Sequence, residues 1–102
     1  MKFQKAPSFQ NDWDDLSAQH RALALGAVPA FNAACEAYVD NPGAPWPKGL
    51  RYGKVIDNPG VFEMTCNFGQ PDIRATFEWT EVDGELAVRW RRIGDHRIFK
   101  NP

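Results

Sequence analysis

Only two cysteines, Cys35 and Cys66, occur in the 102 residues. They are too few and too far apart for a disulfide framework or a metal knuckle, so both read as reduced core residues. Long apolar runs are also missing: none approaches the roughly 20 residues of a membrane span. The opening MKFQKAPSFQNDWDDL lacks the apolar stretch of a signal peptide, and the expected location is the cytoplasm. Net charge is nearly absent too. Twelve Lys and Arg against thirteen Asp and Glu leave −1, so the chain as a whole exerts no pull on nucleic acid. No GxGxxG, Walker loop, HExxH, paired CxxC or GxSxG occurs, which removes nucleotide binding, zinc hydrolysis and serine hydrolysis by those routes. No metal or cofactor is expected.

What is present is apolar and aromatic. A hydrophobic content of 43%, with four Trp and seven Phe, suffices for a core at this length and argues against disorder. The length predicts one domain over residues 1–102. Charge is unevenly spread. Residues 86–102 carry Arg89, Arg91, Arg92, Arg97 and Lys100 against Asp95 alone, and Lys48, Arg51 and Lys54 form a second basic cluster. Acid collects at Asp12, Asp14 and Asp15, and again at Glu78, Glu81, Asp83 and Glu85. The basic C-terminal third permits a local phosphate-binding surface on a neutral protein.

Residues 8–40 are Ala-rich and read as a short helix followed by a longer one, with Ser8 and Ser17 as N-caps. In the second, Val28, Phe31, Cys35, Tyr38 and Val39 recur at the spacing of one helical face. Pro29 either kinks this helix or begins a new segment. NPGAPWP at 41–47 is a loop.

From Leu50 onward the period changes to two. Phe62, Met64, Cys66 and Phe68 alternate with Glu63, Thr65 and Asn67, the pattern of a half-buried strand. A turn is expected at 69–72. Ile73, Ala75, Phe77 and Trp79 then alternate with Arg74, Thr76 and Glu78, and after Asp83-Gly84 a further alternating run holds Leu86, Val88 and Trp90. Asp-Gly between two such runs predicts a hairpin. Its two-residue loop pairs Trp79 with Val88 and Phe77 with Trp90 on one face, Glu78 with Arg89 and Thr76 with Arg91 on the other. The helices should cover the apolar face and leave the other open to solvent. A short final strand is expected around Arg97 to Lys100.

That second face would gather a carboxylate, several arginines and a histidine. Metal-independent RNA cleavage needs such groups: a base for the 2′-OH proton, cations for the phosphate and its developing charge, and an acid for the leaving 5′-oxygen. A histidine suits the last role, because its unperturbed pKa is roughly 6.5. Glu63, Arg74, Arg91 and His96 are the candidates from this reading, and His20 reads as a polar helix position.

Three segments carry a resemblance to a known family. They are Leu50 to Val55 with Pro59-Gly60-Val61-Phe62-Glu63-Met64, then Asp72-Ile73-Arg74-Ala75-Thr76-Phe77, and finally Ile93-Gly94-Asp95-His96-Arg97-Ile98-Phe99. In order and spacing the chain resembles the RelE/ParE superfamily of toxins from type II toxin–antitoxin systems. The resemblance implies a first strand at Lys2 to Lys5, and an α+β fold with two N-terminal helices packed on one face of a mainly antiparallel four- to five-stranded sheet. It also implies a cognate antitoxin as partner, and for the ribonuclease members cleavage of mRNA on the ribosome.

Within that resemblance Arg74 matches an arginine that contacts the scissile phosphate, and His96 falls where some members have a catalytic histidine. Glu63 and Thr65 stand where the best-known ribonuclease has two lysines, so Glu63 is assigned as base from its face and its proximity in the meander, not from a residue-by-residue match. Arg91 or Arg92 would assist Arg74; Lys48, Arg51, Lys54, Arg97 and Lys100 would position the RNA backbone by charge, and Phe99 would stack on a base. The C-terminal aromatic is commonly Tyr, and the ribosome-binding members are strongly basic; this chain has Phe99 and a charge of −1. Some superfamily members lack the nuclease residues and poison DNA gyrase, which is the alternative activity, and a non-toxic interaction domain is a third.

Overall fold

The computed structural model describes residues 2–67 and 72–102. In chain order the elements are β1 (Lys2–Lys5), α1 (Pro7–Asp15), α2 (Ala18–Gly26), α3 (Val28–Asp40), a 3-10 turn (Lys48–Leu50), β2 (Gly53–Lys54), β3 (Val61–Asn67), β4 (Ile73–Val82), β5 (Glu85–Gly94) and a 3-10 segment (His96–Lys100). The strands form one five-stranded sheet in the order β1-β5-β4-β3-β2. Only the β1–β5 pair is parallel. The expected α+β architecture is thus present, with Phe68 and residues 69–71 of the expected turn outside the described residues.

The helical half divides differently from the sequence reading. Ser17 caps α2, its hydroxyl accepting the His20 amide at 3.1 Å. The long second helix is two, because Pro29 lies at the start of α3, where its missing N–H leaves no bond unmade. Residues Ala18–Asp40 are, by length and composition alone, apolar enough to cross a membrane, which corrects the expectation that no run is. In the fold this stretch breaks at Ala27 and turns Phe31, Ala34 and Cys35 into the core. Val28 and Val39, expected on the same face, are 42% and 49% exposed.

Ser8 does not cap α1, which begins at Pro7 after Ala6. Its hydroxyl instead donates to the Arg91 carbonyl at 2.7 Å. The reason lies at the sheet edge. β1 pairs only with Ala87 to Trp90 of β5, so the outer edge of β5 beyond Trp90 has no strand beside it. Helix α1 takes over there: the Ala6 amide donates to the Trp90 carbonyl at 2.8 Å, Ser8 satisfies Arg91, and the Asp12 carboxylate accepts the Ile93 amide at 3.1 Å. Ser8 and Asp12 are four residues apart and therefore share one helical face.

The core is an aromatic assembly between helices and sheet. Phe77, fully buried, has the rings of Phe31, Tyr52, Phe62, Trp79 and Trp90 around it at 5.3–6.1 Å. Trp46 of the loop stacks on Tyr52 at 4.1 Å, which folds residues 41–52 onto the edge of this assembly.

The β4–β5 hairpin has the expected turn. Asp83 and Gly84 take φ of +52° and +80°, the two left-handed residues of a type I′ turn. Trp79–Val88, Glu78–Arg89 and Phe77–Trp90 pair as expected, but Thr76 pairs with Arg92, not Arg91. A bulge intervenes. With alternation unbroken, Arg92 would point into the core opposite Ala75; the extra residue instead turns Ile93 inward, buried opposite Ala75. A second bulge in β3 lies between Thr65 and Asn67.

The second face of the sheet is not open, which corrects the sequence reading. Residues 97–100 form no strand; the 3-10 segment His96–Lys100 folds back over the sheet, with Asp95 capping it through the Arg97 amide at 2.9 Å. Ile98 is buried, and its Cγ2 approaches Gly94 so closely that an added Cβ there would lie 3.0 Å away. Beneath the segment Thr76 is fully buried, its hydroxyl donating to the Pro102 carbonyl at 3.1 Å.

Both cysteines are free thiols, and burial pushes each up to about 12. A pKa raised in the folded state contributes stability that is present below the unfolded thiol pKa and is lost as pH rises above it. At pH 8 the folded protein should therefore be alkylated by iodoacetamide at least about 100-fold more slowly than the urea-unfolded chain. Rapid labelling of either thiol in the folded state would contradict this placement.

Candidate functional site

The sheet register decides which of the candidate residues meet. Three cross-strand rows run over the second face: Val61–Glu78–Arg89, Glu63–Thr76–Arg92 and Thr65–Arg74–Gly94. Arg74 and Glu63 lie in adjacent rows on neighbouring strands. Their side chains approach, with Arg74 Nη1 3.8 Å from Glu63 Oε1. Arg74 Nε also donates to Asp72 Oδ1 at 3.0 Å. Both side chains are largely buried, Arg74 at 17% and Glu63 at 25% exposure, so the arginine is hydrogen-bonded to Asp72 and lies within ion-pair distance of Glu63. Thr65, in the Arg74 row, is 2% exposed, and its buried hydroxyl has no hydrogen-bond partner among the described residues. His96 stands two residues beyond Gly94, at the end of that row, with an exposed side chain.

The remaining arginines of the C-terminal third are engaged in the fold. Arg91 Nη1 donates to Glu78 at 3.0 Å and its Nε to the Pro102 carbonyl at 2.9 Å. Arg89 Nε lies 3.9 Å from the same Glu78. Arg92 makes a two-pronged pair with Asp12, at 2.6 and 3.0 Å, and donates through Nη1 to the Asn101 carbonyl at 3.1 Å. The hydrogen bonds that Arg92 donates to Asp12 raise the Arg92 pKa further above its ordinary value. Arg97 is 80% exposed and paired with Asp95, whose carboxyl it holds below its ordinary value.

Lys48, Arg51 and Lys54 are exposed on the 3-10 turn and β2, at the sheet edge opposite β1. Two strands separate β2 from β5, so the two basic clusters do not merge within the sheet. Gly53 stands opposite Glu63, which brings this edge to the Glu63 row. Phe99 is half-buried and Lys100 exposed. No group of three or more potential metal ligands occurs among the described residues.

Sequence reasoning missed Asp12. Its only signal was membership in an acidic run on a predicted helix, and nothing local announces a partner 80 residues away. It also missed an apolar cavity of about 470 Å³ between the helices and the sheet, on the face opposite Arg74. Phe3, Phe9, Trp13, Leu25, Val28 and Trp90 help to line it. Phe3, Leu25 and Val28 on its rim are 42%, 59% and 42% exposed.

No protein-family model matches the chain, and no curated protein sequence matches it. A solved structure does. A YoeB/ParE toxin from Agrobacterium tumefaciens superposes with a TM-score of 0.55 over 94% of this chain and 99% of that one, at 15% identity. The chain has the RelE/ParE-like toxin fold. Within that fold the Arg74 row lies on the sheet face away from the helices, under the end of the 3-10 segment. Hydrogen bonds hold that segment at its far end, and β5 runs directly into it at Asp95.

Proposed function

We propose that this protein is the toxin of a type II toxin–antitoxin pair and acts in the cytoplasm as a metal-independent endoribonuclease on mRNA, inhibiting translation. The observation that carries the reading is the Arg74–Glu63 pair, 3.8 Å apart and largely buried, with His96 two residues beyond Gly94, the partner of Arg74 on β5. The likeness to a protein described as a YoeB/ParE toxin supports the toxin part of this reading.

In this mechanism Glu63 takes the proton of the 2′-OH, and the resulting oxygen attacks the adjacent phosphorus. Arg74 holds the phosphate and neutralises the charge that builds on its oxygens. His96 gives a proton to the departing 5′-oxygen, leaving a 2′,3′-cyclic phosphate and a 5′-hydroxyl. Lys48, Arg51, Lys54 and Lys100 steer the RNA backbone, Arg97 contributes through its exposed guanidinium, and Phe99 stacks on a base. The apolar cavity on the opposite face supports a protein partner, the antitoxin, docking at Phe3, Leu25 and Val28.

A second reading, a binding poison of DNA gyrase, is favoured by the net charge of −1 and by the engagement of Arg91 and Arg92 within the fold. Tightly induced expression in a bacterial host, with pulse-labelled protein and DNA synthesis, separates the two. The nuclease reading expects protein synthesis to fall first and His96→Ala to abolish the effect. A first fall in DNA synthesis would replace it with the gyrase reading, and unimpaired growth would overturn both.

A further inference from the structure

The exposed end of the proposed site rides on the segment Asp95–Pro102. β5 leads into this segment at one end, and three donors from the sheet hold the other. Arg92 Nη1 reaches the Asn101 carbonyl at 3.1 Å, while Arg91 Nε and Thr76 Oγ1 both reach the Pro102 carbonyl, at 2.9 and 3.1 Å. Of these donors only Arg92 is itself anchored from outside the sheet. Asp12 on α1 grips it with both carboxylate oxygens, and one of those oxygens also accepts the Ile93 amide.

One carboxylate thus fixes the bulged stretch of β5 and the guanidinium that reaches the segment. The Asp12 side chain is 18% exposed and that of Arg92 27%. At this burial a bidentate pair is less screened than a surface ion pair, and its fork geometry fixes orientation as well as distance.

We propose that Asp12, acting through Arg92, is a positioning residue that holds the His96-bearing segment against the Arg74 row. This rests on the nuclease reading above. It assigns Arg92 to the scaffold of the site and not to RNA contact, and it gives α1 a part in the chemistry through a residue that touches no substrate.

The test uses the full chain with Asp12→Asn, which keeps the shape and an acceptor for the Ile93 amide but removes the charge, together with Arg92→Gln and the double variant. Two readouts are independent. Amide exchange followed by NMR should quicken at least 10-fold at Arg97 to Asn101 in all three variants, while Phe77 and Val88 in the core strands stay as protected as before. RNA cleavage should fall at least 10-fold in kcat with KM for a single-stranded oligoribonucleotide unchanged, and the limb of the pH–rate profile that His96→Ala removes should shift. The double variant should lose no more than the worse single one, because the two residues act as a unit.

Unaltered exchange in the segment would overturn the proposal, as would quickened exchange with kcat and the pH profile intact. A lower KM in Asp12→Asn would overturn it differently, by showing that the released Arg92 binds RNA directly. A wild-type protein that cleaves no RNA would instead sink the nuclease reading, and this inference with it. Wild-type cleavage matched by the variants would sink the inference alone.

Discussion

Replacing Phe77 with Ala should destabilise the protein by about 3–5 kcal/mol, the range for emptying an aromatic site in a packed core. Phe77 is completely buried, and five rings surround it: Phe31 and Trp79 meet it edge-on, Trp90 at a steep angle, and Tyr52 and Phe62 more nearly face to face. These neighbours come from α3, from the segment before β2, and from β3, β4 and β5. No single element can shift to fill the void without breaking a contact with another. Typical domains have about 5–15 kcal/mol of stability in total, so this one change would take a large share of it. Urea unfolding followed by tryptophan fluorescence measures the loss, with Phe3→Ala as comparison. Phe3 is 42% exposed, and its truncation should cost about 1–2 kcal/mol. A loss at Phe77 as small as that at Phe3 would show that the core is centred elsewhere.

The same residue illustrates how far the sequence could be read. Phe77 sits in a strict alternation from Ile73 to Trp79, and Asp83-Gly84 fixes the turn, so the apolar face of β4 and its pairing with β5 as far as Trp90 follow from pattern alone. The pairing fails one step later. A bulge leaves no mark in the alternation of Val88, Trp90 and Arg91; its cause is the need to keep Arg92 out of the core opposite Ala75, and this depends on where α1 ends up. Residues 97–100 read as a short strand that completes the sheet, yet Asp95 supplies a cap and the segment coils over the sheet. The closing of the second face was illegible for the same reason: the buried hydroxyl of Thr76 is satisfied by Pro102, a contact between residues 26 apart with no periodicity to announce it. Ser8 is a similar case. A serine near a helix start reads as a cap, but an unpaired strand edge competes for its hydroxyl and wins. Within the site, Glu63 and Arg74 were readable as same-face neighbours on adjacent strands; their flanking by Asp72 and the role of Asp12 were not.

Arg74→Ala should lower RNA cleavage by about 10²–10³-fold, the effect of deleting one preorganised donor to a developing oxyanion. The size of this effect follows from how the side chain is held. At 17% exposure, with Asp72 at 3.0 Å and Glu63 at 3.8 Å, its guanidinium needs little reorganisation to receive a phosphate. Glu63 stands close enough for the phosphate and the proposed base to share one cation. Arg74→Lys keeps the charge but loses the planar fork, so it should recover only part of the rate. The comparison between the two variants separates charge from geometry: equal rates would make Arg74 a source of charge alone. Loss of this cation also leaves Asp72 and Glu63 without it, so thermal unfolding of each variant must accompany the kinetics. An Arg74→Ala protein that melts like the wild type and cleaves as fast would remove Arg74 from the mechanism. If it instead leaves cleavage intact but abolishes growth inhibition, the toxicity arises from binding, and the gyrase reading takes over.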